Sequence, residues 1–398
     1  MNELRVAMII QAYLPRIGGA ERQLAALAPL LQAEGCDVHV ITRRFPGLAP
    51  FELINDVPVH RLPIPGPKFV ASGSFTLSAM PLLKRIRPHI LHAHELLSPS
   101  TTAVAAKRAF GIPVVAKVLR GGLLGDIAKL KRKFLGQRRM RLFRKYIDAF
   151  IVISREIDEE LAEFGISNSS RRAIPNGVDT LRFQPVSSDK KSDLRRLLYL
   201  PDAPIVVYSG RLVAEKRLDL LIDIWPKIRK VHKDAFLLIL GEGETERMLK
   251  ERQTCGMEFR GAVADVVPYL QSADLFVLPS STEGLSNALL EALACGICSV
   301  ATSVGGTRDV IIHGENGWLV PAEQPAHLME AILMLLSDSE LRRNLGQAGR
   351  NQILQNYSLS SVASQLVSLY REIGGPQEFF PAKNQLLEPN LCTTFRES

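Results

Sequence analysis

Ala273-Asp274-Leu275-Phe276-Val277-Leu278-Pro279-Ser280 and, after a short gap, Glu283-Gly284-Leu285-Ser286-Asn287-Ala288-Leu289-Leu290-Glu291 form the stretch that decides the fold. The first part is a brief apolar run that ends in turn residues, as a buried strand does. From Ala288 to Ala294 the chain is apolar and helix-forming, and Gly296 stops it. Strand, loop and helix thus meet within about twenty residues, the geometry in which α/β sheets bind ligands at their strand ends. The helix amino terminus, with free N–H groups and the positive end of its dipole, suits a diphosphate. Glu291, about one turn inside the helix, is placed to accept hydrogen bonds from ribose hydroxyls, and Glu283 before the turn is left for a sugar.

The same alternation extends outward in both directions. Leu4 to Thr42 reads strand, glycine loop, helix (Ala20 to Ala33), Gly35 and a second strand from Asp37 to Ile41, a βαβ unit. Further strands are expected at residues 90–93, 114–118 and 149–153. After Asn176-Gly177-Val178-Asp179 a polar aperiodic segment interrupts the pattern, and strands restart at 204–209, 235–240, 259–261, 275–278 and 298–301. The expected fold class is α/β, with two Rossmann-like doubly wound parallel-sheet domains. The expected divisions are a first domain at 1–184, a linker at 185–199, a second domain at 200–357, a helix at 358–373 that crosses back to the first domain, and a loosely ordered tail at 374–398.

At 398 residues the chain has material for two cores of roughly 150 to 190 residues each. A formal charge of +8 favours phosphates, acidic glycans or anionic lipid heads and does not by itself imply nucleic acid. Cys36, Cys255, Cys295, Cys298 and Cys392 are an odd, scattered set, unlike a secreted disulfide framework, and a reducing cytoplasm fits best. The amino terminus reads as a strand rather than a signal peptide. No uncharged apolar run approaches the roughly 20 residues of a membrane helix, so any membrane contact is expected to be peripheral, at the inner face.

Arg211 and Lys216, in Ser209-Gly210-Arg211-Leu212-Val213-Ala214-Glu215-Lys216, follow the first strand of the second domain and are expected to converge on the same cleft. Cleavage of a glycosyl–phosphate bond leaves new negative charge on the diphosphate, which preplaced cations stabilise most in the transition state. Arg211 is suited to grip two phosphate oxygens, Lys216 to act as a point charge. Gly18-Gly19-Ala20-Glu21 after the first strand, Asn176-Gly177-Val178-Asp179, Gly210-Arg211 with Lys216, and Glu283 with Glu291 together resemble the family-four retaining glycosyltransferases, from Leu4 to about Ile373 and in the expected order.

That resemblance implies the GT-B architecture, two domains facing across a deep cleft, with a nucleotide-sugar donor held mainly by the second. It implies Glu291 at the ribose, Arg211 and Lys216 at the diphosphate, and Glu283 with the backbone of Gly284, Leu285 and Ser286 at the sugar and phosphate. Gly18 and Gly19 would approach the diphosphate from the other side, where only glycine permits close backbone contact. The acceptor is expected to be a saccharide or lipid-linked saccharide, and family habit favours a UDP-sugar. Retention by front-face attack is implied, in cell-surface polysaccharide or glycolipid synthesis. No Asp-x-Asp pair occurs, so no metal or other cofactor is expected.

The chain departs from the family after the strand at 114–118. Many relatives have a histidine there; here the sequence is Ala116-Lys117-Val118-Leu119-Arg120-Gly121-Gly122, which leaves Lys117, Arg120 or the glycine loop with Asp126 to shape the acceptor side. His92 and His94 share a strand face, with His94 expected at the cleft and His92 in the core; a zinc site there lacks distant ligands. Cys295-Gly296-Ile297-Cys298 has redox spacing but sits where helix meets strand, which favours packing. Between Lys129 and Lys145 nine cations and no acid are interleaved with Leu130, Phe134, Leu135, Met140, Leu142 and Phe143. This segment either rests on an anionic membrane or forms a solvated face beside an acidic acceptor. Alternatives are a sugar-nucleotide epimerase or phosphorylase of the same plan, or a noncatalytic carbohydrate-binding relative. A nicotinamide oxidoreductase is disfavoured because neither first loop supplies Gly-x-Gly-x-x-Gly.

Overall fold

Strands that read as unbroken apolar runs do so because helices cover both faces of their sheets. A computed structural model describes residues 4–16, 18–64, 71–133 and 135–374. Met1 to Glu3, Ile17, Phe134 and the expected tail beyond Gly374, with Cys392, lie outside the described residues. The first sheet contains β1 (Leu4–Ile9), β2 (Cys36–Arg43), β3 (Phe51–Ile54), β4 (Val57–Leu62), β5 (Ile90–His94), β6 (Val114–Lys117), β7 (Ala149–Val152) and β8 (Arg171–Ala173). Its order is β3-β4-β2-β1-β5-β6-β7-β8, parallel except for the β3–β4 hairpin.

The second sheet contains β9 (Ile205–Ser209), β10 (Phe236–Leu240), β11 (Met257–Gly261), β12 (Leu275–Leu278), β13 (Cys298–Thr302) and β14 (Trp318–Val320). Its order is β11-β10-β9-β12-β13-β14, all parallel. Each sheet therefore has one place where successive strands begin to add on the opposite side: between β1 and β5 in the first, between β9 and β12 in the second. Carboxyl ends at such switch points open a crevice, since the flanking connections leave in opposite directions.

The helix Leu359–Ile373 turns Leu359, Val362, Ala363, Leu366, Val367, Leu369 and Tyr370 inward. They pack with Leu24, Leu27 and Leu31 of the helix Gly19–Ala33 against Val6, Met8, Val115 and Ile151 of the first sheet. The end of the chain thus closes the core of its beginning.

A hairpin, two edge strands and a helix differ from the sequence reading. The hairpin β3–β4 turns through Asn55 and Asp56, both at positive φ (50° and 62°), as a two-residue hairpin turn requires. The short strands β8 and β14 extend the sheets' edges. The segment expected as an aperiodic linker forms the helix Ser188–Leu197, capped by the Ser187 side chain. No residue of this helix is fully buried; it is held by charge instead. Asp274 accepts Lys191 Nζ at 2.6 Å, Arg195 Nη2 at 2.7 Å and the Ile205 amide at 2.7 Å. Burial alone would raise the Asp274 carboxyl, but Lys191, the Ile205 amide and Arg195 together hold it below its ordinary range.

Removing this carboxylate leaves the Ile205 amide without its acceptor and takes the shared carboxylate from Lys191 and Arg195, which keep only the Ala273 and Ser272 carbonyls and the exposed Asp202. Asp274→Ala is expected to cost about 2 to 3 kcal/mol in denaturant unfolding. Because the folded-state carboxyl titrates below its unfolded value, the contribution is complete at neutral pH and fades as pH falls through the folded-state value. The variant's unfolding should lack that acid-side loss.

Candidate active site

Glu283 leaves β12 through Pro279 and Ser280 and is 7% exposed. Its Oε1 receives Lys216 Nζ at 2.5 Å and Ser280 Oγ at 2.6 Å. Lys216 comes from the loop after β9, so the contact spans the second sheet's switch point. The backbone ties the same two loops together: Ser281 N donates to the Glu215 carbonyl at 2.9 Å. Lys216 is thus engaged with Glu283 rather than standing free beside Arg211. Arg211 is exposed, and its guanidinium helps to keep the Glu215 carboxyl ionised.

After Glu283 the chain turns through Gly284 into the helix Asn287–Ala294, whose cap Ser286 accepts the Leu289 amide at 3.4 Å. Gly305, at φ +46°, packs on this turn; a Cβ there would come within 1.9 Å of the Glu283 carbonyl. Glu291 lies one turn in, on the face toward the first domain. Burial raises its carboxyl to about 7, against the pull of Arg22 from the helix Gly19–Ala33 and of Arg182. Its charge is therefore costly when the site is empty, and hydrogen-bond donors would stabilise it.

The first domain reaches this helix start directly. Asn287 Nδ2 donates to the Gly19 carbonyl at 3.0 Å, and Asn176 Nδ2 donates to the Leu285 carbonyl at 3.2 Å and to Asn287 Oδ1 at 3.0 Å. Gln23 exchanges two hydrogen bonds with Gly177, at 2.6 and 3.0 Å. The glycines at 18 and 19, the Asn176-Gly177 turn and the Ser286-Asn287 helix start are thereby one assembly. Across the cleft Arg120 pairs with Glu215 at 3.2 Å.

On the first-domain side, His94 requires correction. Expected to line the cleft, it is 3% exposed and stacked on His92 with ring centroids 4.3 Å apart. Both rings lie on the face of β5 that the last helix covers, where His92 Nδ1 meets the Tyr370 hydroxyl at 2.5 Å. Burial, aided by the Lys117 ammonium, lowers His94 to about 3, so it is neutral. Lys117 is itself buried, which lowers its ammonium to about 8. Asp126 is 2% exposed and accepts the Leu119 and Leu96 amides at 3.1 and 3.4 Å, holding the loop after β6 in place. No group of three histidine, cysteine or acidic residues is arranged to hold a metal among the described residues. Cys295 and Cys298 are both buried and unbridged, with thiols raised to about 12 by burial.

Sequence reasoning named Asn287, Asn176 and Arg120 but missed the contacts of Asn176 with Asn287 and of Arg120 with Glu215. The motif Asn176-Gly177 was visible, but its contact with Asn287 depends on the docking of two domains. It also missed Glu95 and Gln11, whose side chains meet at 2.5 Å between the ends of β1 and β5.

Comparison with known proteins gives the same architecture. The family description "Glycosyl transferases group 1" matches residues 203–338, and "Glycosyltransferase Family 4" matches residues 17–182. An uncharacterized glycosyltransferase of Methanocaldococcus jannaschii is 28% identical over 391 residues, covering 92% of this chain and 98% of its own. A GDP-mannose-dependent monoacylated alpha-(1-6)-phosphatidylinositol monomannoside mannosyltransferase of Corynebacterium glutamicum is 32% identical over 209 residues, 49% of this chain and 55% of that protein. Among solved structures, sucrose-phosphate synthase from Thermosynechococcus elongatus superposes with a TM-score of 0.80 at 23% identity, over 93% of this chain and 98% of the other. With a switch-point crevice in each of two parallel sheets and one family match for each half, the chain belongs to the family-four, group 1 glycosyltransferases of the GT-B fold.

Proposed function

We propose that the chain is a retaining, metal-independent transferase that moves a sugar from a nucleotide-diphosphate sugar to a hydroxyl of a saccharide or lipid-linked saccharide. The observation that carries this reading is the convergence of Lys216 and Ser280 on Glu283 beside the start of the helix Asn287–Ala294, with the Gly19 loop of the other domain against it. In this reading Arg211, Lys216 and the free amides of Leu285 to Asn287 receive the diphosphate. Glu291 accepts the ribose hydroxyls, and Glu283, with Gly284, Leu285 and Ser286, orients the sugar. Gly18 and Gly19 form the opposite wall.

The chemistry needs no acid or base beyond the substrates. The bond from the anomeric carbon to the phosphate oxygen breaks, and the acceptor oxygen bonds to the same face of that carbon. The acceptor's proton passes to the departing phosphate. Glu283 is unsuited to act as a covalent nucleophile, because one of its oxygens already carries a cation and a hydroxyl. Its work with Lys216 is to fix the leaving group and sugar while charge grows on the diphosphate.

Resemblance favours a UDP-sugar, and the Corynebacterium relative makes GDP-mannose the competing donor. Incubation with UDP-glucose, UDP-galactose, UDP-N-acetylglucosamine, ADP-glucose and GDP-mannose should show slow hydrolysis of one nucleotide class, with the anomeric configuration kept in the released sugar. Release of an epimerised nucleotide-sugar, or an inverted product, would contradict the proposal.

The basic segment supports a second partner. In the helices Asp126–Lys131 and Gly136–Tyr146 the apolar residues Ile127, Leu130, Met140 and Phe143 face the core. Lys131, Arg132, Lys133, Arg138, Arg141, Arg144 and Lys145 are exposed. No helix among the described residues is long and apolar enough to cross a membrane. We therefore assign this face to an anionic bilayer surface at the inner side of the membrane, bound by charge rather than by insertion.

Four outcomes follow from these assignments. Glu283→Ala or Lys216→Ala should lower turnover by about 10²-fold or more with a smaller effect on nucleotide affinity; wild-type rates in both would remove the site assignment. Glu291→Ala should chiefly weaken nucleotide binding. Because the empty site holds Glu291 at about 7 and ribose hydroxyls favour its ionised form, calorimetric affinity for the nucleotide should rise as pH increases through 7 in the wild type. That component should vanish in Glu291→Gln. Replacement of Arg138, Arg141, Arg144 and Lys145 by glutamate should abolish sedimentation with phosphatidylglycerol vesicles, and wild-type binding that persists at high salt would argue against a charge-driven contact.

A further inference from the structure

Arg120 of the first domain and Glu215 of the second meet across the cleft, Nη1 to Oε1, at 3.2 Å, with side chains only 19% and 22% exposed. The Arg120 backbone is fixed from its own domain: its carbonyl accepts the Asp126 amide at 3.0 Å, while Asp126 Oδ2 accepts the Leu119 amide at 3.1 Å. From the other domain the Gly284 turn presses on it, since a Cβ on Gly284 would stand 3.3 Å from the Arg120 Cα. Glu215 is held just as firmly. It lies in the turn Ala214–Lys216, and its carbonyl accepts both the amide and the hydroxyl of Ser281, at 2.9 and 3.1 Å. The next residue, Lys216, reaches Glu283 at 2.5 Å. The Arg120 guanidinium is therefore placed between the Gly284 turn and the loop that carries Arg211 and Lys216, the space that the donor reading gives to the diphosphate.

The two partners are only partly satisfied by each other. Arg120 spends one nitrogen on Glu215, and its other nitrogens have no hydrogen-bond partner among the described residues. Glu215 receives no other side-chain donor among them. Burial alone would raise the Glu215 carboxyl, but its own amide, Arg120 and Arg211 together hold it below the ordinary range, so it is ionised at neutral pH. One carboxylate thus answers the charge of two arginines, one from each domain, as a phosphate group is suited to do. A diphosphate carries more charge and more acceptor oxygens than Glu215, and it is repelled by that carboxylate when the two lie side by side.

We propose that Glu215 is an internal stand-in for the donor's diphosphate, and that Arg120 passes from Glu215 to that diphosphate when the nucleotide-sugar binds. This rests on the donor reading of the second sheet and adds to it a cation from the first domain. Arg120 reaches the leaving group from the first-domain side, while Glu215 is the positioning residue that holds its guanidinium in place until the phosphates arrive. After transfer Glu215 competes for Arg120 again and favours release of the nucleoside diphosphate. The competition lowers affinity, because only the fraction of protein whose Arg120 is free binds at full strength.

Calorimetric titration with UDP and with GDP, in the wild type, Glu215→Gln, Arg120→Ala and the double variant, tests this. Glu215→Gln keeps the shape and removes the competing charge, so the nucleotide that the wild type binds should bind about fivefold more tightly. Arg120→Ala should weaken binding by about fivefold or more, with Arg120→Lys in between. Adding Glu215→Gln to Arg120→Ala should recover less than about twofold, because the two changes act through one contact. A gain in affinity does not arise from a damaged fold, which separates this role from a structural one. Unchanged or weaker binding in Glu215→Gln overturns the proposal. So does a full gain that persists in the Arg120→Ala background, since it would then be charge repulsion without Arg120. A wild type that binds neither nucleotide, or an Arg211→Ala variant with wild-type affinity, counts against the donor reading itself and takes this inference with it.

Discussion

Every contact across the cleft depends on how closely two loops can pass. A Cβ on Gly284 would lie 2.3 Å from the Leu119 carbonyl of the first domain, so any other residue would push the domains apart at the point where their switch points face each other. That one glycine brings the turn after β12 against the loop after β6. The hydrogen bonds of Asn287 to Gly19 and of Asn176 to Asn287 then fix the rotation of one sheet over the other. Without this approach the helix start at Asn287 would face solvent, and its amides and dipole end would be screened by water.

Within that frame the two crevices are chemically unlike. The crevice of the second sheet gathers cations and a helix amino terminus around Glu283, which suits a leaving diphosphate. The crevice of the first sheet places a carboxyl and an amide, Glu95 and Gln11, in contact with each other, with the helix Ser98–Phe110 starting three residues further on. A transferase needs this asymmetry: negative charge develops on one side of the reacting carbon, and a neutral nucleophile arrives from the same face, steered by positioning rather than by a strong base.

Much of the frame was legible in the residues. Unbroken apolar runs such as Leu275 to Leu278 marked strands buried on both faces, and the glycines and prolines between them marked the crossings. The helix Ser188–Leu197 was not legible, because its hold on the second domain is made by Lys191 and Arg195 on Asp274 and the carbonyls just before it, far away in sequence, and its apolar content is too thin to set a period. His94 shows a different limit. Strand alternation put it on one face with His92, but that face is covered by a helix arriving at residue 359, so its burial follows from tertiary packing alone. Lys216 was grouped with Glu283 on one cleft, but their direct contact at 2.5 Å was not legible in the residues. Glu95 gave no local signal, since its meaning comes from β5 lying beside β1.

The account stands or falls on where the nucleotide lies. The most direct measurement is a crystal structure of the protein with UDP, or with GDP if that is the nucleotide bound in solution. The account predicts a diphosphate at the amino terminus of the helix Asn287–Ala294, within hydrogen-bond distance of Arg211 and facing Gly19, with the ribose hydroxyls on Glu291. A nucleotide seated at the β1/β5 crevice, or one that leaves Glu291 without a ribose contact, would contradict it.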